Sequence, residues 1–211
     1  MAHKQTTYGA DLDHCITSSF NMLARYNIKG SSTLLFAKLI AGRLHIRSLG
    51  DCQLILLRRQ ADKSFGIFYI TNPQYNDRRR RCPFQIGFGL RPRFYNKIND
   101  RFADTISVNE GDLIIAGSDG LFNPLGVARI IKVVNDSIER GYENLAERLS
   151  HHARKATIGR DGVHLGCDDI STIVALVKRP GNDYIPLDDV NNFDHVMDCI
   201  ESTYFPISCI F

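Results

Sequence analysis

Apolar residues at spacings of three and four, Leu12, Ile16, Phe20 and Leu23, line one face of residues 10–27 and predict an amphipathic helix. Gly30 ends that rhythm. Residues 31–40 and 43–49 read as two strands joined by a tight turn at Ala41-Gly42, and residues 53–59 as a third strand after the Gly50-Asp51 turn. A fourth strand covers 65–70. Strands this close, with turns this short, pair antiparallel, because parallel pairing needs long crossovers. Residues 71–101 are rich in Asn, Arg, Gly and Pro and predict an irregular stretch. Strands resume at 102–108 and 113–116. Helical spacing returns at Val127, Ile130, Ile131, Val134 and Ile138, with Gly126 near its start, and again at Leu145, Ala146, Leu149 and Ala153. After a polar loop at 157–167, residues 170–177 form the last core strand, closed by Pro180-Gly181. The remainder, 182–211, predicts a tail with a short helix at 190–200 and an apolar end, Tyr204 to Phe211, suited to dock on the domain or on a protein partner. The fold class expected is α+β: an antiparallel β-sandwich flanked by helices, with residues 10–178 as one domain and 179–211 as a C-terminal tail.

Composition narrows the function classes. The chain has 211 residues, 44% hydrophobic and 23% charged, which allows a real core. A net charge of +3 is too small to indicate a nucleic-acid partner. No apolar run approaches the ~20 residues of a membrane helix, and residues 1–8 lack an apolar signal core. Cys15, Cys52, Cys82, Cys167, Cys199 and Cys209 include no CxxC pair, so free thiols in an intracellular, reducing compartment are expected.

Three acidic turns sit at strand ends. The apolar run Leu113–Ala116 stops at Gly117-Ser118-Asp119-Gly120, which puts the Asp119 carboxylate at the end of a buried strand. Asp168 and Asp169 precede the run 170–177, and Asp51 follows the strand 43–49. Asp and Gly are also ordinary turn residues for local reasons. Carboxylates converging at the edge of a sandwich suit Mg²⁺ or Mn²⁺, which prefer oxygen ligands in octahedral geometry. Two such ions ~3.5–4 Å apart can activate water and stabilise in-line displacement at phosphorus. Asp119 and Asp168 are the main candidates and Asp51 a third.

These segments carry a resemblance. Gly30-Ser31-Ser32-Thr33, Ser48-Leu49-Gly50-Asp51, Ala116-Gly117-Ser118-Asp119-Gly120-Leu121-Phe122 and Cys167-Asp168-Asp169-Ile170-Ser171 resemble, in order, motifs of the metal-dependent protein phosphatases, the protein phosphatase 2C family. Pro83-Phe84-Gln85 resembles a motif of the subgroup related to the T-cell activation phosphatase. The match covers roughly residues 10–178. It implies a sandwich of two antiparallel sheets with helices outside. It also implies hydrolysis of phosphoserine or phosphothreonine in a phosphoprotein by metal-bound water. Asp119, Asp168, Asp51, Gly120 and Asp169 would then serve the metal site, Asp51 at a third, weaker position and Asp169 in support. Two ions of Mn²⁺ or Mg²⁺, or three, occupy a complete site in that family.

One departure matters. The family's opening strands carry an Asp-Gly-x-x-Gly motif that supplies a bridging carboxylate, and before residue 30 only the polar start and one helix are found. The sandwich is therefore expected to be N-terminally incomplete. A fragment, a catalytically inactive phosphatase-like binding module, or a ligand supplied by Asp188, Asp189 or Asp194 would each account for this. Asp161-Gly162 imitates the motif but reads as a surface loop. The basic run Arg78, Arg79, Arg80 and Arg81, with Arg91 and Arg93 near, reads either as a solvated loop or as a substrate-phosphate contact. His151-His152 reads as a helix C-terminal cap, and the loose His164–Cys167 spacing carries no zinc site.

Overall fold

The computed structural model describes residues 2–26, 30–76, 82–88, 96–158, 168–178 and 207–210, of which 2–11, 23–24, 88 and 207–210 are described by their backbone. In chain order the elements are α1 (Ala2–Arg25), β1 (Gly30–Ser32), β2 (Leu34–Ile40), β3 (Arg43–Leu49), β4 (Gln53–Arg59), β5 (Phe65–Ile70), β6 (Ile86–Phe88), a 3₁₀ turn (Ile98–Asp100), β7 (Phe102–Ser107), β8 (Leu113–Gly117), α2 (Asp119–Glu139), α3 (Leu145–Ala156), β9 (Thr172–Leu176) and β10 (Ile207–Ile210). Among the described residues they form two four-stranded antiparallel sheets, ordered β10-β2-β3-β7 and β5-β4-β8-β9, and a β1-β6 pair.

Alternation along each strand decides what each face covers. Leu54 and Leu56 of β4 and Ile114 and Ala116 of β8 meet Leu35, Ala37, Leu44 and Ile46 from the other sheet, and this inter-sheet layer is the sandwich core. The opposite faces of β4 and β8, through Ile55, Leu57, Leu113 and Ile115, pack under α2 and α3 against Leu121, Phe122, Ile130, Val134, Leu149 and Ala153. On the far side Ile16 of α1 packs with Leu34 and Leu49. The result is a helix–sheet–sheet–helix stack, the α+β sandwich that the sequence predicts.

α1 is also latched by charge. The Asp13 carboxylate accepts from Arg47 Nε at 2.8 Å and from Arg101 Nε at 3.0 Å, with Arg47 Nη2 at 3.3 Å. Burial opposes ionisation of Asp13, but the hydrogen bonds and charges of the two arginines outweigh it and hold its carboxyl below the usual carboxylate range.

Several boundaries differ from the sequence reading. α1 begins at Ala2 rather than near residue 10, over a stretch too polar to show a period. α2 begins at Asp119, well before Gly126, so Gly-Ser-Asp-Gly is a helix start rather than a plain turn. Gly126, at φ 64° and ψ 159°, breaks the helix internally beyond Pro124. The irregular stretch contains β6 and the 3₁₀ turn. His151 and His152 lie inside α3, whose last turn carries Arg154 and Lys155 instead. The tail residues 207–210 pair with β2 of the same chain, Ile210 opposite Leu34 and Ile207 opposite Ala37, so nothing assigns this strand to a protein partner. The helix expected at 190–200, the 157–167 loop beyond Ile158 and Arg78–Arg81 lie outside the described residues.

Candidate metal centre

The inter-sheet crossover places Asp51. β3 belongs to one sheet and β4 to the other, and Gly50-Asp51-Cys52 joins them at the sandwich edge. Gly50 sits at φ 114°, and a Cβ there would meet Thr33 Cγ2 at 2.5 Å and the Phe84 carbonyl oxygen at 2.8 Å. Only glycine fits that turn. Gln74 braces it from the irregular stretch: its N–H donates to the Gly50 carbonyl at 2.8 Å, and its Oε1 accepts from Gly50 N at 3.3 Å.

Asp119 and the segment leading to β9 are tied by one buried hydroxyl. Ser118 Oγ donates to the Asp169 carbonyl at 2.9 Å and accepts from Ser171 N at 3.1 Å, and Ser118 N donates to the Ser171 carbonyl at 3.1 Å. Ser118 thus spends its side chain across the chain instead of capping α2. Gly120 lies so close over the Asp169 carbonyl that a Cβ would collide with it. Asp169 therefore enters through its backbone. Asp168 Oδ1 accepts from Asp169 N at 2.9 Å, which turns that carboxylate back on its own loop.

These ties bring three of the expected acids together. Asp119 and Asp168 carboxyls are within hydrogen-bonding reach, and Asp51 feels the charge of both. Burial, then Asp119 and Asp168, push the Asp51 carboxyl up to about 6. Burial and Asp168 likewise raise Asp119. Asn123, one helical turn on, donates to Asp119 Oδ2 at 3.2 Å; reading the segment as a turn hid this Asp-x-x-x-Asn spacing.

Two half-buried carboxyls, Asp51 and Asp119, with the exposed Asp168 beside them present oxygen donors alone and like charges that a hard divalent cation relieves, so the three fit Mg²⁺ or Mn²⁺. Among the described residues no group of three or more His, Cys, Asp or Glu closes tightly enough around one point to hold an ion unaided. The two observations agree if water completes the shell, as Mg²⁺ ordinarily requires.

No family profile matches the chain. Among curated proteins, Probable protein phosphatase 2C 1 of Oryza sativa subsp. japonica is 33% identical over 132 residues, 61% of this chain and 36% of that protein. Probable protein phosphatase 2C 26 of Arabidopsis thaliana is 34% identical over 131 residues, 60% of this chain and 40% of that protein. Among solved structures, the photosystem II phosphatase PBCP superposes with a TM-score of 0.59 at 26% identity, over 71% of this chain and 65% of that one. The chain is thus similar to protein phosphatase 2C proteins in sequence and in fold. Serine-threonine phosphatase 2C from Toxoplasma gondii, at TM-score 0.55 and 15% identity over 79% of this chain and 64% of that one, shares the fold. The chain spans less than half the length of these two curated protein phosphatase 2C relatives. No helix among the described residues is long and apolar enough to cross a membrane.

Proposed function

We propose that this chain acts as a metal-dependent protein serine/threonine phosphatase of the protein phosphatase 2C type. The observation that supports it most is the convergence of Asp51, Asp119 and Asp168 at one edge of the sandwich. Mn²⁺ or Mg²⁺ is the proposed cofactor; when bound, it supplies charge neutralisation at the phosphate and activation of water. The chain's own part is positional. Asn123 orients Asp119, the Ser118 hydroxyl fixes Asp119 relative to Asp168, and the Gly50 turn presents Asp51. A phosphoprotein is the proposed substrate, with Arg78, Arg79, Arg80 and Arg81 as proposed phosphate contacts.

The test is phosphate release from a phosphoserine peptide with Mn²⁺ or with chelator. Wild type is expected to need the ion, and Asp119→Asn to lose about a hundredfold or more of the rate. Equal rates for the two proteins overturn the assignment. A second reading, a catalytically inactive phosphatase-like binding module, is favoured by the open arrangement of the described carboxylates. Calorimetry showing no Mn²⁺ uptake by cooperatively folded protein supports that reading; tight uptake of two ions removes it.

A further inference from the structure

A cleft of about 1070 Å³ runs along α3 and is lined on its other side by Asp168, Asp169 and Ile170. Its wall includes Glu147, Arg148, His151, His152, Arg154 and Lys155. The direction of α3 beside β9 is fixed by contacts at two heights. Leu145 and Ala146 share a second pocket with Val174 and Leu176, and Ser150 Oγ donates to Thr172 Oγ1 at 3.0 Å. As α3 advances, its neighbours in the other segment therefore step back from 176 through 172 toward 168. Glu143, just before α3, and Glu147 in its first turn lie toward the far end of β9, and the basic last turn lies on the side of Asp168.

The charges along this wall are not equally free. Arg148 is engaged: its Nε donates to Ser137 Oγ at 3.0 Å, and its guanidinium stacks on Tyr142 at 3.7 Å. Glu147 caps the helix start with Asn144. Arg154 and Lys155 are exposed, and among the described residues neither has an ion-pair partner. The positive character of this face is felt locally. His152 is held below the ordinary histidine range by burial first, and then by Arg148, His151 and Lys155, with Asp136 opposing them.

We propose that the α3 cleft is the substrate-sequence groove of this chain, and that it selects phosphopeptides with acidic residues a few positions from the phosphorylated serine or threonine. His151, Arg154 and Lys155 would contact those acids while the phosphate lies at the Asp119–Asp168 edge. Arg154 and Lys155 lie about one helical turn beyond Ser150, and they line the same cleft as Asp168 and Asp169. This inference rests on the phosphatase reading for the placement of the phosphate, but the groove can be tested without turnover.

The experiment uses two fluorescent phosphoserine peptides of equal length, one flanked by glutamates and one by lysines, with the full chain and its Arg154→Glu/Lys155→Glu variant. By anisotropy at low salt, wild type is expected to bind the glutamate peptide about fivefold tighter or more. The variant should lose or invert that preference while hydrolysis of p-nitrophenyl phosphate, which has no flanks, stays unchanged. Where turnover is measurable, the change should fall on KM rather than kcat. Equal affinity for the two peptides, or a preference that survives the charge reversal, overturns the groove. Equally tight binding of single-stranded DNA also overturns it, since the surface would then be a generic polyanion site. If no substrate is hydrolysed but the glutamate preference and its reversal hold, the phosphatase reading fails and the groove stands.

Discussion

Asp119 does not act as an isolated turn carboxylate; its position is set by residues that carry no charge. The Ser118 hydroxyl makes one bond to each side of the Asp169–Ser171 segment, so Ser118→Ala removes the cross-tie without touching an acid. It takes a partner from the Asp169 carbonyl and the Ser171 N–H, both only part-buried, and is expected to cost about 1 kcal/mol by urea denaturation. Gly50→Ala is predicted to be at least as damaging. Positive φ and two obstructed contacts combine there, and a loss of about 2 kcal/mol or more is expected in the same measurement. Both glycine motifs were visible in the sequence as punctuation. What punctuation could not show is that Gly50 faces Thr33 and Phe84, because such contacts are made only after the sheets close.

Element by element, legibility followed period. β3, β4, β5 and β8 emerged close to their true limits, because five to seven residues suffice to show alternation and β-branched content, whereas the single strand read at 31–40 divides into β1, paired with β6, and β2. β6 and β10, three and four residues long, have no period to read. The early part of α2 was hidden by Pro124 and Gly126, both helix-breaking signals that the fold accommodates within a kinked element. α1 was seen only where it turns an apolar face, and its ion latch was not foreseen, since Arg47 and Arg101 are distant in sequence. That latch gives a pH prediction. The folded Asp13 carboxyl titrates below its unfolded value, so its contribution is present above about pH 4 and lost as pH falls through the lower folded value. Asp13→Asn is expected to reduce stability at pH 6, by about 1–2 kcal/mol. The gap from wild type should narrow below pH 4, as read from denaturation midpoints across pH.

At the level of the whole molecule, the sandwich and its helical layers were legible because both sheets bury one face against each other and the opposite face under helices. The site was legible as three acids in order; their meeting at one edge was not, since that depends on the strand order β5-β4-β8-β9 and on the crossover between sheets. β10 closes the β2 edge, and deleting residues 207–211 is predicted to open it to pairing with other chains. Light scattering that rises with protein concentration in the deletion variant, but not in wild type, is the expected outcome. The crossover carries a wider consequence. Asp119 and Asp168 ride on one sheet, while Asp51 hangs on the link to the other. An ion shared among them would act as a rivet through the two layers of the sandwich. Its affinity would then report how tightly those layers are clamped. Saturating Mn²⁺ should raise the melting temperature of wild type more than that of Asp51→Asn. A cavity opened far from any carboxylate, as by Leu54→Ala between the sheets, should loosen the ion as well as the fold.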